Sequence, residues 1–217
     1  MARRLAGYFK CTPTDKQKGV INFLIENQIS LLTGDPGTGK TFMSLYYGLK
    51  QLNAGEFEKI VITKPPIETG KSIGFLKGSE DDKLAPYKLS YIDIIEKLLG
   101  KDIATGVIRN KVVFEPIGFC RGRTYENSII ILDEVQNCEL SEIISFATRV
   151  HESSKLIILG DQYQTDIRKS GLLDFINICN GVDGVGIYHL DESFQMRSPI
   201  ITALYNNYKK FLNNIKK

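Results

Sequence analysis

A chain of 217 residues, 42% hydrophobic and 24% charged, suits one globular domain with a sizeable core and excludes a disordered or fibrous protein. Its net charge of +3 permits a nucleic-acid partner without requiring one. Four cysteines (Cys11, Cys120, Cys138, Cys179) with no C-x-x-C pair, and two histidines (His151, His189), argue against a thiolate-metal, redox or histidine-based site and fit free thiols in a reducing cytoplasm.

No apolar run approaches a membrane span, and residues 1–10 are basic without the apolar stretch of a signal peptide, so a cytoplasmic protein is expected. The first helix is signalled by Thr12-Pro13 and by Thr14 with Gln17 three residues on, a capping-box spacing ahead of Val20, Ile21 and Leu24. Gln17 carries two open readings: the cap residue itself, or the glutamine that helicase-like ATPases keep before the phosphate loop to read the adenine edge. Next, the apolar run Ile29-Ser30-Leu31-Leu32 leads into Gly34-Asp35-Pro36-Gly37-Thr38-Gly39-Lys40-Thr41, and a helical pattern follows through Met43, Leu45, Tyr46, Leu49 and Leu52. Strand, glycine-rich turn and helix in that order make G-x-x-x-x-G-K-[ST] a phosphate cradle. Glycines let successive N–H groups curl toward an anion, and the helix N-terminus adds partial positive charge. The expected nucleotide-binding set is therefore Gly34, Asp35, Pro36, Gly37, Thr38, Gly39, Lys40 and Thr41. Lys40 would reach the β- and γ-phosphates of ATP, and the Thr41 hydroxyl would sit on a magnesium ion.

Gly55 caps that helix, and Lys59-Ile60-Val61-Ile62-Thr63 reads as a buried strand stopped by Pro65 and Pro66. Over 67–86 the pattern breaks into glycines and the acidic triplet Glu80-Asp81-Asp82, which predicts a long irregular loop. Helical spacing resumes with Leu89, Ile92, Ile95, Leu98 and Leu99 and stops at Gly100. Lys111-Val112-Val113-Phe114 is a short strand, Arg121-Gly122-Arg123-Thr124 a turn, and Ser128-Ile129-Ile130-Ile131-Leu132 a strand running into Asp133-Glu134. A helix on Leu140, Ile143, Ile144 and Ala147 precedes the strand Leu156-Ile157-Ile158-Leu159, which opens into Gly160-Asp161-Gln162-Tyr163-Gln164. A short helix around Leu172 and a strand at Gly186-Ile187-Tyr188-His189-Leu190 come next. Ser198-Pro199 then starts an amphipathic helix over 198–217, on Ile201, Leu204, Tyr205, Tyr208, Phe211, Leu212 and Ile215. Apolar strands alternating with helices predict a three-layer α/β domain, its parallel sheet covered on both faces.

Ligands of such sheets lie beyond the carboxyl ends of the strands, so Asp133 and Glu134 would share a crevice with the phosphate loop. Asp133 suits magnesium, which prefers oxygen ligands and keeps part of its water. Glu134 suits a base for the attacking water, which favours hydrolysis over transfer to a small acceptor. The Gln164 amide can donate to the γ-phosphate and accept from the same water.

Lys64-Pro65, Arg121-Gly122-Arg123-Thr124, Ile131-Leu132-Asp133-Glu134-Val135-Gln136-Asn137, Gly160-Asp161-x-x-Gln164, Lys169-Ser170-Gly171-Leu172 and Arg197-Ser198-Pro199 together resemble the PhoH-like family. These are single-domain P-loop ATPases of RecA-like fold, similar to the first motor domain of superfamily-one helicases. The resemblance runs from about Thr14 to the tail helix. It departs at Val135, where alanine is commoner, at Ser198, where histidine is common, and at Asp35-Pro36-Gly37, where Pro-Ala-Gly is usual. It implies magnesium-dependent ATP hydrolysis and a tie to single-stranded RNA or DNA, for which Lys64, Lys71, Lys77, Arg121 and Arg123 supply charge and Phe75 and Tyr87 stacking faces. A superfamily-one motor completes its site with an arginine from a second domain, and this length has room for one. The resemblance therefore suggests a homo-oligomeric ring, a hexamer, in which Arg197 reaches a neighbour's γ-phosphate, with Arg121 or Arg123 as competing choices. Rival readings are an ATP-dependent switch or assembly protein without nucleic acid, and a small-molecule kinase.

Overall fold

The computed structural model describes residues 7–65, 80–120, 123–165, 167 and 169–215. Strands β1 (Ile29–Gly34), β2 (Lys59–Thr63), β3 (Val112–Phe114), β4 (Ser128–Leu132), β5 (Lys155–Gly160) and β6 (Val185–Leu190) form one sheet in the order β3-β2-β4-β5-β1-β6. Every pairing is parallel. Around it lie α1 (Asp15–Glu26), α2 (Lys40–Ala54), α3 (Glu80–Leu99), α4 (Lys101–Lys111), α5 (Leu140–Ala147), α6 (Leu172–Cys179) and α7 (Pro199–Ile215).

The pleat explains why β2, β4 and β5 carry unbroken apolar runs through their middles. In β4, Ile129 and Ile131 join the core under α1 to α4, with Leu45, Leu49, Ile95 and Leu98. Ile130 and Leu132 face the opposite layer, with Ile143 and Phe146 of α5 and Leu172 and Phe175 of α6. All four β4 side chains are fully buried, each worth roughly 1.5–3 kcal/mol of transfer free energy. A strand covered on one face only would have needed alternating polar residues. The three-layer α/β architecture expected from the sequence is the one observed.

The chain leaves β1 for β2, then returns through β4 and β5 to lie beside β1 again. The order reverses at β1, so the carboxyl ends of β1, β4 and β5 open onto one crevice.

Two segments differ from expectation. The irregular loop predicted over 67–86 ends earlier, because α3 already begins at Glu80; residues 67–79 lie outside the described residues. Pro86 masked the helix: it removes one backbone donor and breaks the apolar period, yet a long helix absorbs it. The acidic triplet read as loop is instead the ordinary composition of a helix start. The second difference is α4, a separate helix where the sequence suggested no element; Gly100, at φ 80°, turns the chain between α3 and α4.

Helix α7 forms as expected but docks unexpectedly. Ile200, Leu204 and Phe211 are 79%, 66% and 62% exposed, while Tyr205 and Lys209 face the body of the protein. Polar contacts, not the apolar stripe, choose its inner face.

Candidate functional site

The phosphate loop begins where β1 ends. Gly34 has φ 146°, and a Cβ there would overlap the carbonyl oxygen of Leu190 on the adjacent β6, so only glycine fits. Gly39 then caps α2 in a left-handed conformation, and α2 starts at Lys40. Lys40 Nζ donates to the carbonyls of Gly34 (2.6 Å) and Asp35 (3.0 Å), and Thr38 Oγ1 donates to the Asp35 carbonyl (2.7 Å).

Across the crevice, the Thr41 hydroxyl donates to Asp133 Oδ2 at 3.0 Å, tying the start of α2 to the end of β4. Tyr91, from α3, donates to the same oxygen at 3.1 Å, and the Glu134 backbone N–H donates to Asp133 Oδ1 at 2.9 Å. Asp133 is therefore held on both oxygens, with one edge toward Thr41.

Glu134 adopts φ 57°, ψ 36°, a left-handed backbone that a non-glycine residue rarely takes, and heads a short 3₁₀ turn over Val135–Asn137. Its Oε2 accepts from Gln136 Nε2 at 2.6 Å, and Gln136 Oε1 accepts from the Asp161 N–H at 3.0 Å. One buried amide thus links the acidic end of β4 to the end of β5.

A cavity of about 310 Å³ is lined by Lys40, Thr41, Asp133, Glu134, Gln164 and Arg197, with Pro36, Gly37, Gly39, Phe42, Ile94, Gln136, Gly160 and Asp161 completing its wall. Most of the expected set is brought together here. Gln17 is not among the lining residues. Its side chain accepts from the Thr14 N–H at 3.0 Å while Thr14 Oγ1 accepts from the Gln17 N–H at 3.4 Å, a complete capping box. Arg197, expected to enter a neighbour's site, lines the cavity of its own chain, because residues 195–197 are strapped onto the phosphate loop. Of its competitors, Arg123 pairs with Glu115, and Arg121 lies outside the described residues.

Burial pushes the Asp133 carboxyl above the ordinary range, against the pull of the Glu134 N–H, the Thr41 and Tyr91 hydroxyls and the Lys40 charge. Glu134 is raised by burial and then by the Asp133 charge. Lys40 is lowered by burial, while Asp161, Asp133, Glu134 and Asp35 pull it back up. The crevice is short of positive charge, which suits it to a cation and a phosphate ligand together. A hydroxyl and a carboxylate that share a hydrogen bond are oxygen donors of the kind magnesium takes. Among the described residues no group of three His, Cys, Asp or Glu could hold a metal alone, so an ion here would share its shell with phosphate and water.

Sequence reasoning missed Tyr91, Gln136, Tyr205 and Lys209. Gln136 stood inside a quoted motif, which was the available signal. Tyr91 looks like any apolar helix position.

Residues 11–209 match the family model described as PhoH-like protein. The PhoH-like protein of Bacillus subtilis (strain 168) is 32% identical over 198 residues, 89% of this chain and 62% of the relative. Protein PhoH of Escherichia coli (strain K12) is 31% identical over 187 residues, 83% of this chain and 53% of the relative. The chain spans about half to two thirds of the length of the curated relatives it matches. Among solved structures, the Pyrococcus furiosus Hef helicase domain aligns over 82% of this chain and 38% of its own, at 12% identity and a TM-score of 0.49.

Proposed function

The chain belongs to the PhoH-like family, and from that membership we propose that it hydrolyses ATP with magnesium at the crevice between β1, β4 and β5. The observation that carries the reading is the 3.0 Å hydrogen bond from Thr41 to Asp133. It brings the phosphate-loop helix and the acidic strand end to one point of a single cavity, where a metal-bound triphosphate needs them both.

In this reading the N–H groups at the start of α2 and Lys40 hold the phosphates, Lys40 exchanging the Gly34 and Asp35 carbonyls for phosphate oxygens. Thr41 and Asp133 would hold magnesium, which when bound neutralises charge on the phosphate oxygens. Glu134, with Oε2 fixed by Gln136, presents Oε1 to take a proton from water. Gln164 orients that water, and Arg197 approaches the γ-phosphate within its own chain. Gln17 remains a candidate for the adenine edge only if its cap opens.

The test is release of free phosphate from ATP by the purified chain, against Lys40→Ala. A phosphorylated acceptor in place of free phosphate would favour the kinase reading. A single-stranded RNA or DNA partner is the finer part of the proposal. It rests on the family likeness and on Lys64 at the carboxyl end of β2, and turnover with and without each polymer checks it. A reducing cytoplasm suits the free thiols Cys11, Cys138 and Cys179.

A further inference from the structure

Asp35 places a carboxylate at the second position of a loop built to hold phosphate. Unopposed, it would repel the anion that the loop N–H groups and Lys40 attract. Its partner comes from the far end of the chain. Lys209, on the inner face of α7, sets Nζ 2.5 Å from Asp35 Oδ2, with the two side chains only 19% and 12% exposed. The same ammonium lies 5.8 Å from the Tyr163 ring centroid and 5.4 Å from that of Tyr205. Glu192 is a second, outer carboxylate at 3.9 Å.

Three more contacts fix this arrangement. Tyr205, one turn before Lys209, donates its hydroxyl to Asp161 Oδ2 at 2.9 Å. Gln195 Nε2 donates to the Pro36 carbonyl at 3.1 Å, and the Met196 N–H to the Gly37 carbonyl at 3.0 Å. The fit is close: a Cβ on Gly37 would come within 2.6 Å of Gln195 Oε1.

We propose that Lys209 is a positioning residue of the nucleotide site, neutralising Asp35 so that the phosphate loop accepts a triphosphate, and that this ion pair holds α7 against the loop. The proposal rests on the nucleotide-binding reading above. An exposed pair would contribute little, but this one is mostly out of water, and removing the lysine leaves an unpaired, mostly buried carboxylate on the phosphate loop itself.

Binding of a fluorescent ATP analogue with magnesium is measured on the full chain, on Lys40→Ala, Lys209→Met, Lys209→Arg and Asp35→Asn, and on the Lys209→Met/Asp35→Asn pair. Lys209→Met is expected to weaken binding about tenfold, with kcat at saturating ATP within about twofold of wild type, since no reacting group is touched. Asp35→Asn should bind at least as well as wild type, Lys209→Arg should retain affinity, and the double variant should recover to within about twofold. Wild-type affinity in Lys209→Met, or a double variant as weak as Lys209→Met, overturns the proposal. If Lys40→Ala loses binding while Lys209→Met does not, the nucleotide site stands and this role for Lys209 falls. A wild-type chain that binds no nucleotide sinks both.

Discussion

Glu134 sits in a left-handed backbone, under a side chain whose carboxylate is clasped by Gln136. Such a conformation costs on the order of 1 kcal/mol in a non-glycine residue and persists only where its surroundings impose it. Here the imposing groups are the Asp133 carboxylate on its N–H and the 3₁₀ turn behind it. Glu134→Gln keeps the shape and removes the proposed base. It should retain nucleotide while losing turnover by about 10²–10⁴, checked by separate binding and phosphate-release assays. Lys40→Ala should instead abolish binding, since the loop then lacks the cation at its centre. Lys155 offers a test unconnected with catalysis. It is 5% exposed, its ammonium donates to the Asn27 carbonyl, and burial pulls it down to about 8 from an unfolded value of 10.5. Between these values the unfolded chain binds more protons, so Lys155 adds stability as pH rises from about 8 to 10.5, by about 3 kcal/mol, and this is lost as pH falls. Cys138, whose thiol burial pushes up to about 12, works in the opposite direction above 9. The measurement is therefore urea unfolding of wild type and Lys155→Met across pH 7.5–10.5; the difference between the two curves should carry the rising slope.

Among the elements, β2, β4 and β5 were legible because interior strands of a sheet covered on both faces write themselves as unbroken runs of Ile, Leu and Val. The capping box at Thr14 was legible for a similar reason: both its bonds join residues three apart. Thr14→Ala should cost about 1 kcal/mol in thermal or denaturant unfolding. The start of α3 was hidden by Pro86, and α4 is short, with Gly106 inside it and only Ile103, Ala104, Val107 and Ile108 to mark its inner face. The polar docking of α7 could not be read at all, since Lys209 and Asp35 lie 174 residues apart and no local spacing encodes such a pair. Much of the cavity wall was visible, namely the loop residues Pro36, Gly37 and Gly39 with Lys40, Thr41, Asp133, Glu134, Gln164 and Arg197. Tyr91 and Tyr205, which hold Asp133 and Asp161 from behind, are set by packing that no local spacing encodes. Gly171 shows how packing can lie behind a motif. A Cβ there would overlap the backbone N and Cα of Leu140, where α6 begins against the start of α5, and its N–H donates to the Cys138 carbonyl at 2.8 Å. Backbone cannot yield as a side-chain tip can. Gly171→Ala should destabilise by about 1–3 kcal/mol, read as a lowered urea midpoint.

At the scale of the molecule, the phosphate loop, the acidic strand end and the arginine belong to one chain and one cavity. Subunits carrying Lys40→Ala mixed with subunits carrying Arg197→Ala should therefore recover no ATP turnover; an arginine working on a neighbour would restore it in the mixture. The sheet order carries a consequence for how the protein is made. The interior strand β1, from which the phosphate loop springs, pairs with β5 and β6, more than 120 residues downstream. During synthesis β1 must wait for both neighbours with its apolar residues unshielded, so sheet closure is a late and slow event, and the nascent chain is exposed to aggregation until Leu190 has emerged.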